Sequence, residues 1–397
     1  MTVGLAPERR RVSESEQCLH VSVWVPRQNA SNLPVLLYLH GGGFVLGSSS
    51  HYVVAPDPAA LARALDVVVV SPQYRLGVFG LFAHLGLDEA DGGGAQALGD
   101  QRLAMQWVQR HVAAFGGDPS RVTAVGSSAG AISLCFHLVH PETARGQLFR
   151  AAVMLSPLCP LPYERNHEAN LRARQVAEAV GCARASVAAE LQCLRETDAF
   201  KLSRAMRSRR GLLWGNGHLW LPSVGNVDAP HDPVHALALR NASAGENKVV
   251  VVAGVNDDEG TLFLLLGFPI LVPERFVFDS VAASWGRDKL ERMWSRYYPP
   301  PEEEMGQGPI WESVTGDLLG GGAFVAAGRL LSDCWACGLA RWARAMVKYR
   351  STLPHAPNSS SNVFLYHYDH QLPLPGGLDR LGSFHSSELP VFFQHPP

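Results

Sequence analysis

The chain has 397 residues, 47% of them hydrophobic and 18% charged, which suits a large folded core and excludes extensive disorder. A formal net charge of −2 leaves no global field to draw in DNA, RNA or an anionic membrane; the short basic clusters at 9–11 and 207–210 read as solvated surface. No apolar run reaches the roughly 18 residues of a membrane span, because Gly267 and Pro269 interrupt the best candidate at 262–272.

Taken in chain order, continuous apolar and β-branched runs predict strands at 35–39, 67–71, 122–125, 151–155, 249–253 and 363–366. Runs of this kind suit strands buried on both faces, hence a mostly parallel sheet flanked by helices. Over residues 100–115, Leu103, Trp107, Val108, Val112 and Phe115 recur at helical spacing. Gly116 and Gly117 end that helix, and Asp118-Pro119 turns the chain toward the next strand. The alternation is a doubly wound α/β pattern in one domain. Two longer stretches, 162–210 and 273–350, exceed simple crossovers and read as helical insertions capping the active edge of the sheet; plain surface helices are the competing reading.

Gly126-Ser127-Ser128-Ala129-Gly130 lies between a predicted strand and a helical stretch. Small residues there allow a sharp strand-to-helix turn that holds Ser128 exposed at a helix N-terminus, where free N–H groups favour developing negative charge. Alone, such a pentapeptide is a weak signal. His40-Gly41-Gly42-Gly43-Phe44, upstream at the end of a strand, could be a flexible turn. With the elbow downstream it reads as an oxyanion loop, in which the N–H groups of Gly42, Gly43 and Ala129 face the reacting oxygen. A serine nucleophile needs a histidine base oriented by a carboxylate. In the expected order the carboxylate comes next, and the strand at 249–253 runs into Asp257, Asp258 and Glu259, three candidates of equal standing. Of the later histidines, His367 sits within a strand pattern and His395 near the C-terminal residue, with His370 a further competitor; His385, after a Gly/Pro-rich loop, leads.

These motifs resemble the type-B carboxylesterases, the group that also contains cholinesterases, bile-salt-activated and fungal lipases, and the non-catalytic neuroligins. The matching residues run from Ser15-Glu16-Gln17-Cys18-Leu19 with Val21 through the three-glycine loop to Gln73-Tyr74-Arg75-Leu76-Gly77. They continue with Asp100-Gln101-Arg102-Leu103-Ala104, Trp107-Val108, Phe115-Gly116-Gly117-Asp118-Pro119 and the serine pentapeptide. Asn256-Asp257-Asp258-Glu259-Gly260 and His385-Ser386-Ser387-Glu388-Leu389-Pro390 complete the set. The resemblance implies an α/β-hydrolase fold and carboxylic ester hydrolysis by a Ser128–Glu259–His385 triad, with no cofactor and no metal. It selects Glu259 over the two aspartates and supports His385. It also implies a disulfide between Cys182 and Cys193, matching the family's small loop. The implied partner is a small-molecule ester. The rival readings are a neuroligin-like binding protein and an inactive piece of an esterase.

Three departures carry consequences. Ser127 stands where many members have a glutamate, which implies neutral esters in preference to choline esters. Pro157 follows Ser156 where a glycine is usual. Residues 1–397 read as one catalytic domain lacking the family's N- and C-terminal ends. Seven cysteines leave at least one thiol free or paired outside the chain. Cys334 and Cys337 have no second pair for a metal site, and their helical setting predicts a packing role. The sequons at Asn29, Asn241 and Asn358 together with the implied disulfide point to a secreted or lumenal protein. Met1 to Arg11 lacks the apolar core of a secretory signal, and the compartment stays open.

Overall fold

The alternation of side chains along the central strands sets up the layers. In a computed structural model of the chain, the described residues are 15–49, 58–87, 93–144, 147–161, 163–206, 220–239, 249–257, 259–260, 332, 336–347, 363–369 and 383. Their strands are β1 (Val21–Trp24), β2 (Leu33–Leu39), β3 (Val68–Pro72), β4 (Gly117–Ser127), β5 (Ala151–Leu155), β6 (Val250–Asn256) and β7 (Val363–Tyr368). The helices are α1 (Pro58–Leu65), α2 (Gln96–His111), α3 (Ala129–Val139), α4 (Pro141–Ala144), α5 (Asn166–Val180), α6 (Val187–Glu196), α7 (Ala199–Met206) and α8 (Pro233–Leu239).

Val35, Leu37 and Leu39 of β2 join one core with Val68 and Val70 of β3, Met105 and Val108 of α2, and Leu134 and Leu138 of α3. Leu36, Tyr38 and Val69 point the other way, to Leu61 and Ala62 of α1. Both faces are covered, which is why these strands read as unbroken apolar runs. The sheet order is β1-β3-β2-β4-β5-β6-β7, parallel throughout except for β1, which pairs antiparallel with β3. After β3 the chain crosses from one side of β2 to the other to form β4. The carboxyl ends of β2 and β4 therefore flank a topological switch point, where open α/β sheets form crevices.

Two details differ from the sequence expectation. The turn predicted at Asp118-Pro119 is already strand: β4 starts at Gly117, opposite Leu33, and the register shifts between Leu33 and Val35. Helix α2 ends at His111 and continues as a tighter 3₁₀ turn over Val112–Phe115, closed by Gly116 at φ 83°. The first insertion does cap the active edge: Ala173, Val176 and Ala177 of α5, Leu194 of α6 and Leu202 of α7 pack with Phe44 and with Ala129, Ile132 and Phe136. The described part of the second divides: Ser332 reaches that edge and accepts the Gly260 N–H, whereas the helix that follows does not cap it. Residues 336–347 are helical and place Leu339, Trp342, Ala343 and Met346 in the core against the sheet. That spacing of three, four and seven is one buried helical face.

Candidate active site

The turn between β4 and α3 is built around one residue in an unusual conformation. Ser128 has φ 52° and ψ −118°, outside the regions open to a non-glycine residue at little cost. Two observations account for its persistence. The Ser128 N–H donates to the Leu155 carbonyl at 2.9 Å, and the Ile132 N–H to the Ser128 carbonyl at 2.8 Å. Gly130 lies so close to β2 that a Cβ there would meet the Leu39 carbonyl oxygen at 2.1 Å. Ser128 is half-buried, whereas Ser127 is 1% exposed and Ala129 fully enclosed. The Ser127 hydroxyl is buried and finds no hydrogen-bond partner among the described residues.

The loop after β2 lies against this turn. A Cβ on Gly41 would come within 3.1 Å of the Ser128 Cβ and 2.8 Å of the Ser127 carbonyl oxygen. Gly42 has φ 117° and its carbonyl accepts the N–H groups of Val45 and Leu46, both at 3.1 Å. A side chain at Gly42 would strike the Leu46 carbonyl at 2.1 Å, so the reversal requires glycine. Gly43 follows with φ 61°. Ala129 is the first residue of α3, where an α-helix leaves its N–H groups without intrahelical acceptors.

At the end of β6 the carboxylates separate by environment. Glu259 is fully buried and its Oε1 accepts the Asn256 N–H at 2.8 Å. The Gly260 N–H donates to Ser332 Oγ at 3.0 Å. Asp257 faces solvent, with its Oδ1 3.2 Å from His367 Nε2, and both of those side chains are more than half exposed. Asp258 and the histidines His370, His385 and His395 lie outside the described residues.

Behind the turn runs a polar chain that the sequence did not announce. Ser133 Oγ donates to the Ala129 carbonyl at 2.9 Å and accepts from Gln101 Nε2 at 3.1 Å. Gln101 Oε1 in turn accepts from His137 Nε2 at 2.8 Å. All three side chains are fully buried. Burial, reinforced by the charges of Arg102 and His140, pushes His137 well below its ordinary value of 6.5, so it is neutral at physiological pH.

The expected Cys182–Cys193 bridge is present, and a second, unexpected one joins Cys135 to Cys159. That second bridge ties α3 to the segment after β5, neighbours because β4 pairs with β5. Cys337 is a free, exposed thiol, so the packing role expected for it is wrong; Leu339 and Trp342 take the buried side of that helix. Cys334 lies outside the described residues. No described helix is long and apolar enough to cross a membrane.

A mostly parallel sheet with a strained serine after one strand and a glycine loop after its neighbour defines an α/β-hydrolase. The chain belongs to the carboxylesterase family, whose sequence profile matches residues 4–397. Among curated relatives it is 36% identical to a cholinesterase of Mus musculus over 263 residues, covering 64% of this chain and 41% of that protein. It is 30% identical to an acetylcholinesterase of Danio rerio over 406 residues, covering 96% of this chain and 62% of the relative. An acetylcholinesterase of Leptinotarsa decemlineata is 29% identical over 420 residues, at 96% and 61% coverage. The chain thus spans between 41% and 62% of the length of these relatives.

Proposed function

We propose that this chain hydrolyses carboxylic esters through an acyl-enzyme intermediate. Ser128 is the nucleophile, His385 the general base and Glu259 the carboxylate that orients it. The observation that carries the reading is the strained, half-buried Ser128 packed directly against Gly41 of the glycine loop. Ser128 Oγ attacks the ester carbonyl while His385 takes its proton. The N–H groups of Gly42, Gly43 and Ala129 stabilise the resulting oxyanion, in a setting where losing one donor costs about 10²–10³ in rate. Collapse expels the alcohol, which receives the proton from His385. The same histidine then activates water to release the acid. Glu259, enclosed and held by the Asn256 N–H, keeps the imidazole in one tautomer and stabilises its charged form.

The preferred substrates are neutral esters. The relatives are named for choline esters, and the family resemblance implies that Ser127 stands where many members carry a glutamate. A carboxylate about 4 Å from a quaternary ammonium attracts it by about 4 kcal/mol at an effective dielectric near 20. A neutral hydroxyl supplies no such attraction.

A slow-turnover 4-nitrophenyl carbamate tests the acyl-enzyme directly. One nitrophenol released rapidly per active chain is the expected result. No release, together with no turnover of simple esters, would overturn the reading and favour a non-catalytic binding role.

A further inference from the structure

We infer that Tyr74, with Gln73 beside it, is a positioning residue for the glycine loop, holding that loop against the nucleophile; the inference rests on the ester-hydrolase reading above. The Tyr74 hydroxyl donates to the His40 carbonyl at 2.6 Å, and its ring stacks on the His40 imidazole, with centroids 4.2 Å apart and planes 14° from parallel. Tyr74 is 2% exposed and His40 4%. The same His40 carbonyl would lie 2.9 Å from a Cβ on Gly130, in the first turn of α3. The tyrosine therefore fastens the peptide lying between the glycine loop and the nucleophile helix.

Neighbouring bonds make this a clamp. Gln73 Oε1 accepts the Ser49 N–H at 3.1 Å, and the Gly77 N–H donates to the Phe44 carbonyl at 2.7 Å. Residues 73–77 thus grip the loop near its start, middle and end. The clamp is itself anchored to α2. Asp100 accepts the Arg75 backbone N–H at 3.0 Å and its guanidinium at 2.8 and 2.7 Å. Burial, then the neighbouring Tyr38, raises the Tyr74 pKa well above its ordinary value, so its hydroxyl stays a donor across the working range. On the other side of His40, Nδ1 donates to the Gly41 carbonyl at 2.9 Å, orienting the first peptide of the glycine run.

A misplaced oxyanion loop weakens interactions made chiefly in the transition state. It lowers kcat and kcat/KM together and leaves KM unchanged. Tyr74→Phe keeps the ring stack and removes only the donor. With an uncharged 4-nitrophenyl ester, and rates expressed per site titrated by a fluorophosphonate, kcat should fall about tenfold, less than the loss of a direct donor. KM should stay within about twofold of wild type. Affinity for a trifluoromethyl ketone, which forms an oxyanion on the enzyme, should fall by the same factor as kcat. A purely structural tyrosine would instead lower the titrated fraction and the melting temperature, with kcat per site unaltered. Gln73→Leu, at a half-buried position, should act in the same sense and more weakly, and it serves if Tyr74→Phe does not fold. Wild-type protein that fails to react at Ser128 overturns the hydrolase reading. Wild-type protein that reacts, with kcat per site and ketone affinity within about twofold of wild type in both variants, overturns the clamp alone.

Discussion

Glu259 Oε1 accepts the backbone N–H of Asn256 at 2.8 Å, turning the carboxylate back toward the end of β6 and away from solvent. Asp257, two residues earlier, is more than half exposed and meets His367. The contrast favours Glu259 over Asp257 as the acid of the proposed triad. Glu259→Gln should leave the fold intact, since an amide oxygen can keep the Asn256 bond, yet lower kcat by about 10³–10⁴ because the imidazole is held in the wrong tautomer. Asp257→Asn should stay within about threefold, as expected of an exposed pair. Steady-state kinetics on the two variants check this, and a severe loss in Asp257→Asn alone would move the assignment.

The buried His137 gives the fold a pH dependence of predictable sign. Its folded-state pKa is depressed below the unfolded value near 6.5, so the unfolded chain binds a proton that the folded one excludes. The associated stability is fully present above about pH 6.5 and is lost as pH falls below it, by up to about 1.4 kcal/mol per pH unit. Urea unfolding of wild type and His137→Gln at pH 7.5, 6.0 and 5.0 measures the effect. The variant, less stable at pH 7.5, should show a shallower decline. Parallel declines would remove His137 as the cause.

The Cys135–Cys159 bridge encloses 24 residues of sequence separation and includes the return from α3 to β5. Cross-links of such loops stabilise by about 3–4 kcal/mol, chiefly by restricting the unfolded chain. The Cys135→Ala, Cys159→Ala pair should therefore melt several degrees lower than wild type under non-reducing conditions. Equal melting temperatures would mean that the bridge contributes nothing.

Substrate preference has its own test at Ser127. Wild type should show a higher kcat/KM for an uncharged ester than for its choline isostere. Ser127→Glu should narrow that ratio by adding a charge beside the nucleophile. A wild-type preference for the choline ester would contradict the neutral-ester proposal whatever the variant does.

Much of the fold was legible because its central strands are buried on both faces and so appear as unbroken apolar runs. β1 escaped for the opposite reason. Its four residues, Val21–Trp24, are half-buried, and it lies at the edge of the described sheet. The elbow and the glycine loop were legible because close backbone approach leaves glycine as the residue that fits, as at Gly130 and Gly42. The residues alone do not separate Glu259 from Asp257, since the two carboxylates differ in how the turn after β6 exposes them, one enclosed and the other open to solvent. The Cys135–Cys159 bridge and the Ser133–Gln101–His137 chain depend on which elements become neighbours, which no local spacing encodes. Tyr74 lay in a recognised motif, but its role emerges only when β3 lies beside β2 and delivers its hydroxyl to His40.

The central claim is that Ser128, and not its neighbour Ser127, forms the covalent intermediate. The most direct measurement is reaction with a fluorophosphonate followed by peptide mass analysis, on wild type, Ser128→Ala and Ser127→Ala. Wild type and Ser127→Ala should each take up one label, on Ser128. Ser128→Ala should take up none and lose about 10⁵–10⁶ in kcat. A label on Ser127, or ester turnover surviving in Ser128→Ala while Ser127→Ala is dead, would contradict the account.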